Sequence, residues 1–210
     1  MQIEIIFGIA ALVVSVVLHE VSHGYMANFL GDPTARLEGR LTLNPLKHLD
    51  PFGSIFLPAI LILTHSPILF GWARPVPYNP YNLRRGGVWA EALVAGAGPA
   101  ANFGIAAALA LFLRAGGVMI SESVITLAFT IIVINVMLAI FNLIPIPPLD
   151  GSKILSAILP HPLAGQWEKI RTQLEYNPLL GFGAVILFII LIGGGLGGIV
   201  QFVARALVGI

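Results

Sequence analysis

Val13-Val-Ser-Val-Val-Leu-His-Glu-Val-Ser-His-Gly24 sets two histidines and a glutamate inside an apolar run that extends from about Ile3 to Leu30. Such a run exceeds the roughly 20 residues that a helix needs to cross a bilayer core of about 30 Å. Hydrocarbon supplies no partner for a bare N–H or C=O, and the run lacks the period-two alternation of a barrel strand, so it reads as a helix. On that helix His19 and His23 are four positions apart and share a face. Both imidazoles reach one zinc ion there, and Glu20 lies beside the water that the ion would activate. The plainer reading is that these polar groups face neighbouring helices. It weakens at membrane depth, where ionisable groups are costly and are kept because they pair, bind or react. Three of them fall within five positions.

The remainder of the chain fits a bilayer. Of 210 residues, 57% are hydrophobic and 10% charged, against about 25% charged in soluble domains. With a mean hydropathy of +0.92, lipid must cover much of the surface. A net charge of +1 offers no basic field, so nucleic acid is not expected as a partner. With no cysteine, a metal must be held by histidine and carboxylate. The first run has no basic start, which reads as a retained span and not as a cleaved signal peptide.

Further along, 31–50 is polar, with turn formers at Gly31, Asp32, Pro33, Asn44 and Pro45. Phe52 to Phe70 is apolar but broken by Pro58, Thr64, His65, Ser66 and Pro67, too short for an easy crossing and open to a re-entrant reading. A proline-rich loop, Gly71 to Gly87, precedes two long spans, Val88 to Leu113 and Ser123 to Ile144. After Pro145 to Gly151 come a short helical piece ending at Pro160, a polar loop from His161 to Asn177, and a last span from about Pro178 to Leu207. Gly193/Gly197 and Gly194/Gly198 have the spacing that lets helices approach closely. The expected fold is an all-α polytopic membrane protein: one domain over 1–210, a bundle of about four full spans with a re-entrant or short segment and short extended loop elements.

Catalytic zinc usually has three protein ligands and a water, so His19 and His23 require a third. Glu4 and Glu91 lie near segment ends, and Glu122, Glu168 and Glu175 in polar stretches; Asp150 follows the apolar run from Asn142 to Leu149. Asp150 is the best candidate, yet Pro148-Leu-Asp-Gly151 is also good turn chemistry, and the aspartate could equally cap the helix that begins near Ser152.

Several stretches together resemble the site-2 proteases, intramembrane zinc metalloproteases. They are His19 to His23, Gly31-Asp-Pro-Thr-Ala-Arg36, Asn44-Pro-Leu-Lys-His-Leu-Asp-Pro51, Gly71-Trp-Ala-Arg-Pro-Val-Pro77, Ala97-Gly-Pro-Ala-Ala-Asn102 and Asn142-Leu-Ile-Pro-Ile-Pro-Pro-Leu-Asp-Gly151. The resemblance covers most of the chain. It implies Asp150 as third ligand of one zinc ion, Asn142 as a polar group near the scissile carbonyl, and cleavage within or next to the transmembrane segment of a single-span protein or peptide. The HExxH lies in the first span, as in a compact member without a PDZ module.

If His19, His23 and Asp150 share one ion, the spans that carry them run parallel, with an odd number of crossings between. Val88 to Leu113 supplies one if Phe52 to Phe70 returns to its own side. Arg36, Arg40, Lys47, Arg74, Arg84, Arg85, Lys153, Lys169 and Arg171 then share a face, away from Arg114 and Arg205. The positive-inside rule puts that face, and the zinc, towards the cytosol of a multi-pass cell-membrane protein. Glu20 is the expected general base and Asn142, ahead of Asn102, the expected oxyanion donor; Asn102, beside Gly98 in mid-span, suits helix packing better. Gly71 to Tyr78 is expected to present an unpaired edge to an unwound substrate, or else to be an inert loop. His48, His65 and His161 are not expected to be ligands. His48 and Asp50 sit in a loop that matches the family's pattern. The alternative function is a zinc-binding membrane transporter or scaffold that cuts no bond, and nothing in the sequence sets an oligomeric state.

Overall fold

The computed structural model describes residues 2–64, 71–116 and 120–209. Its helices are α1 (Gln2–Leu30), α2 (Thr34–Leu37), α3 (Leu57–Leu63), α4 (Ala90–Gly116), α5 (Glu122–Asn142), α6 (Asp150–Ile158), α7 (His161–Tyr176) and α8 (Pro178–Val208). Among the described residues there is no strand. Among these residues three helices are long and apolar enough to cross a membrane, in α1, α4 and α5; α7 and the first part of α8 form a pair bent by 105°. The architecture is the expected helical membrane bundle.

Contacts fix the direction of each helix. Ser15 of α1 is level with Asn135 of α5, whose Nδ2 donates to its Oγ at 2.9 Å. One turn further along α1, His19 meets Asp150, which lies beyond the C-terminus of α5. The two helices therefore run parallel. Descending α4 reverses the order, since Asn102 meets His19 and Val94 meets His23. Ala106, Ala110 and Leu113 of α4 pack with Ala128, Ile132 and Val136 of α5 and with Val200 and Ala204 of α8. Alanines at these crossings let the helices come close without a hydrophobic drive from water. Arg114 closes the far end, donating from Nε and Nη2 to the carbonyls of Val208 and Ala206.

The segment after Pro51 returns to its own side. A π-helical turn (Pro51–Phe56) and α3 together supply thirteen helical residues, at most about 20 Å of rise against about 30 Å of hydrocarbon. Trp72 N donates to Gly53 O at 3.2 Å, and Ser54 Oγ donates to Trp72 O at 2.8 Å. The chain that departs at Gly53 is thus back beside it at Trp72, although 65–70, including His65 and Pro67, lie outside the described residues. Asp50 holds the departure point, accepting from Phe52 N and Gly53 N.

Two expectations change. The stretch from His161 to Asn177, expected as a loop, forms the helix α7 over His161–Tyr176. Its polarity is that of an interfacial helix laced by Arg171, which pairs with Glu168 and Glu175 at helical spacing and with Glu91 of α4. Trp167 Nε1 donates to Ser152 O, docking α7 on α6. A methyl group added at Gly197 or Gly198 would meet nothing within 4 Å, so at these two positions no helix among the described residues approaches closely. The side chains of the paired positions 193 and 194 are outside the description.

Asp32, fully buried, ties the loop after α1 to the corner before α4. It accepts from Thr34 N and Oγ1, Asn82 Nδ2 and Asn79 N. Burial pushes its carboxyl up, and these bonds outweigh burial and hold it below the ordinary carboxylate range. A folded value below the unfolded one stabilises above the unfolded value, and the gain is lost as pH falls through the folded value. Below about pH 4 the Asn79–Asn82 corner is therefore expected to loosen, measured as falling hydrogen-exchange protection at the Asn79 amide. In Asp32→Asn that pH dependence should vanish.

Candidate active site

His19 and His23 lie on the buried stripe of α1 that also contains Ser15, Ala27 and Leu30. Large apolar residues such as Ile6, Ile9 and Val14 face outwards. The four-residue repeat of the stripe brings both imidazoles against α4. Asp150 arrives through the proline-rich turn after α5, and Gly151 permits it: a Cβ there would overlap the carbonyl of Leu143. Asp150 is the first residue of α6, after the N-cap residue Leu149, and among the described residues its buried Oδ2 accepts from no helix N–H. Capping, the rival sequence reading, does not describe its side chain.

His19 Nε2 lies 3.0 Å from His23 Nε2, and Asp150 Oδ2 lies 3.2 Å and 3.3 Å from the two. The proton positions can be traced from backbone carbonyls, which only accept. Val94 O accepts from His23 Nδ1 at 2.7 Å, leaving His23 Nε2 with a lone pair. Ile131 O accepts from Asn135 Nδ2, so Asn135 Oδ1 faces Asn102 and accepts from its Nδ2 at 2.8 Å. Asn102 Oδ1 is thereby turned to His19, and His19 Nδ1 donates to it at 2.6 Å. His19 Nε2 is a lone pair as well. Three acceptors thus converge with no hydrogen among them, and Asp150 Oδ2 is buried without a hydrogen-bond partner.

Such a trio fits a cation. A tetrahedral zinc with bonds of about 2.0–2.1 Å holds its ligand atoms about 3.3 Å apart, and two imidazoles with a carboxylate are a usual catalytic donor set. Gly98 of α4 faces the same point: a Cβ there would sit 2.5 Å from His23 Nε2 and 2.6 Å from His19 Nε2. Glu20, half-buried beside the trio on α1, accepts from Val76 N at 3.0 Å.

The structure therefore brings His19, His23 and Asp150 together, with Glu20 next to them and bonded to the loop from Gly71 to Tyr78. Among the described residues Asn142 makes no hydrogen bond to any of the three; its Nδ2 donates to Leu138 O of its own helix. Asn102 does bond between helices, as expected of a mid-span amide, but the partner is a site histidine. Asn135, Ser15 and the Val94 carbonyl went unnoticed in the sequence, where mid-span polar residues were the only signal. His48, buried, accepts from Arg74 N through its carbonyl at 2.8 Å, while its ring meets Thr42 O. Buried Arg40 donates to the carbonyls of Arg74 and Pro75. Together they brace the loop that reaches Glu20. The side chain of His161 is outside the description.

A Bacillus subtilis protein named as a zinc metalloprotease, YwhC, is 42% identical over 160 residues, which cover 72% of this chain and 68% of that protein. The profile of peptidase family M50 matches residues 113–191, the part that contains Asp150. The chain belongs to peptidase family M50. Proteins named as zinc metalloproteases Rip2 are also similar, at 31% identity over 191 residues in Mycolicibacterium smegmatis, covering 89% of this chain and 67% of that protein. The Mycobacterium tuberculosis (strain H37Rv) relative is 31% identical over 194 residues, covering 90% of this chain and 68% of its own length. No solved structure matches the chain. This M50 member is a zinc metalloendopeptidase and a multi-pass membrane protein, in keeping with the site-2 protease resemblance.

In this M50 protease the amide of Asn102 sets the orientation and tautomer of His19. Asn102→Leu is expected to lower zinc affinity about 10–100-fold, as loss of such a partner does. Competition with a graded chelator measures it.

Proposed function

We propose that the chain is an intramembrane endopeptidase, cutting a peptide bond within or next to the transmembrane segment of a single-span protein or peptide. His19, His23 and Asp150 hold one zinc ion, and Glu20 is the general base. The observation that carries this reading is the convergence of three lone-pair atoms at 3.0–3.3 Å, between spans, beside a carboxylate. A zinc ion held there would supply Lewis-acid chemistry, polarising a substrate carbonyl and lowering the pKa of a water into the neutral range. Glu20 takes the proton of the attacking water and delivers it to the departing amine. Asn142 donates to the developing oxyanion. Both N–H groups of Asn102 are spent, on Asn135 Oδ1 and Ser15 O, whereas Asn142 has one N–H without a partner among the described residues.

Gly71 to Tyr78 receives the substrate as an extended strand. It is free of regular structure, is braced by Arg40 and His48, and places the Val76 N–H on Glu20. Val76→Pro removes that donor. Cleavage is expected to drop about tenfold, the scale of one charge-assisted hydrogen bond, with zinc content unchanged; undiminished cleavage rejects the loop's role. With the segment after Pro51 returning to its own side, the nine basic residues from Arg36 to Arg171 fall in the segments that share the site's face, which supports a cytosolic-side active site.

The decisive experiment incubates purified protein with membrane-spanning peptides, with and without a zinc chelator, and maps cuts by mass spectrometry. Chelator-sensitive cuts inside or bordering the spanning segment are expected. Cuts confined to soluble peptides, or indifferent to chelation, overturn the reading.

A further inference from the structure

The motif Gly31 to Arg36 has no part in the zinc site, yet its geometry is specific. Leu30 O, at the end of α1, accepts from both Arg84 N and Arg85 N, at 2.9 Å and 3.1 Å. This pulls the corner before α4 onto the end of the first span. Between that corner and α2 lies a recess of about 430 Å³ lined by Asn28, Gly31, Pro33, Arg36, Asn82 and Arg84. Its wall contains two guanidinium groups and no carboxylate. Asp32, the nearest acid in sequence, is fully buried, with both oxygens committed to Thr34, Asn79 and Asn82. Neither Arg36 nor Arg84 has an ion pair among the described residues, and the half-buried Asn28 amide has no hydrogen-bond partner among them.

We propose that this recess binds the phosphate headgroup of an anionic lipid. Two planar forks beside an amide suit a phosphodiester, which guanidinium groups hold by paired hydrogen bonds. The depth matches, because the recess opens immediately beyond Leu30, where the first span ends. Its surroundings distinguish a lipid from a soluble phosphate. Phe29, 64% exposed on the last turn of α1, and Leu37, 76% exposed next to Arg36, point apolar surface outwards, and Arg85 lies over the Phe29 ring at 5.8 Å. Charged and apolar groups side by side are the arrangement that the boundary between headgroups and acyl chains rewards.

The test is native mass spectrometry of the full chain in detergent, titrated with dioleoylphosphatidylglycerol, dioleoylphosphatidylcholine or inorganic phosphate. Phosphatidylglycerol is expected to be retained preferentially. In Arg36→Gln/Arg84→Gln its affinity should fall about 25-fold, the effect of two basic contacts to an anionic headgroup. Arg36→Lys/Arg84→Lys should lose less, keeping the charge without the fork. Arg114→Gln, at the opposite end of the bundle, should retain the lipid as the parent does. Equal retention of the two lipids overturns the proposal, as does an unchanged affinity in the glutamine variant. Displacement of phosphatidylglycerol by equimolar inorganic phosphate overturns it in favour of a soluble anion. Zinc content and thermal unfolding of each variant report whether the fold survives, and the lysine pair tests the site even if the glutamine pair is unstable.

Discussion

Replacing Glu20 with glutamine is expected to reduce cleavage about 10²–10⁴-fold while the zinc content stays as in the parent protein. Loss of a positioned general base has that range, or about 3–5 kcal/mol in the barrier. The substitution is nearly isosteric. The amide oxygen of glutamine can still accept from Val76 N, now 3.0 Å from Glu20 Oε2, so the loop from Gly71 to Tyr78 keeps its anchor. No ligand atom is altered. Only the capacity to accept a proton is gone. Single-turnover cleavage of a spanning peptide, with zinc quantified in the same sample, separates the two effects. Cleavage within a factor of a few of the parent would sink the assignment of Glu20. Lost zinc would instead give it a structural role.

The second large effect is expected from a residue with no side chain. Gly98→Ala should cut zinc retention at least about 100-fold, because the new methyl carbon would lie 2.5 Å from His23 Nε2 and 2.6 Å from His19 Cε1 and Nε2. Non-bonded carbon atoms prefer about 3.5–4.0 Å, so the imidazoles must yield by about 1 Å. Metal sites tolerate about 0.2 Å. The histidines cannot move together without breaking their bonds to Asn102 and Val94. Gly96→Ala provides the control two residues away on α4, where a methyl would meet only Ile154 Cδ1, at 4.0 Å. In mid-helix that change alone should be neutral or mildly stabilising. Zinc content after dialysis against a graded chelator, alongside the thermal midpoint in detergent, distinguishes a filled site from a misfolded bundle. Parent-like zinc retention in Gly98→Ala would mean that the metal lies elsewhere.

How much of this could be read from sequence differs residue by residue. His19 and His23 were legible because four positions on a helix share a face whatever the rest of the chain does. Asp150 was not decided in the same way: turn chemistry at Pro148-Leu-Asp-Gly151 and metal ligation use the same residues, and only the approach of α6 to α1 separates them. Asn102 illustrates a half-success. Its interhelical bond was expected of any buried mid-span amide, but its partner lies 83 residues away, and no local pattern names it. The stretch from His161 to Asn177 reads as a loop in sequence because polarity marks exposure to water or headgroups, and an interfacial helix shares that mark with a loop. Its ion pairs at three and four residues were the missed signal.

The sequence by itself determined that the chain spans a bilayer as helices, where its long apolar spans run, and that two imidazoles and a carboxylate share one stretch of the first. Transfer free energy and backbone hydrogen bonding act over neighbouring residues, so composition and period record them directly. The tertiary structure alone decided which carboxylate completes the trio, which amide aligns His19, and that the loop around Val76 reaches Glu20 across 56 residues of sequence. Those pairings depend on how the helices pack and at what depth they meet. They are set by the shape of the whole bundle, with Gly98 and Gly151 leaving the space in which distant groups converge.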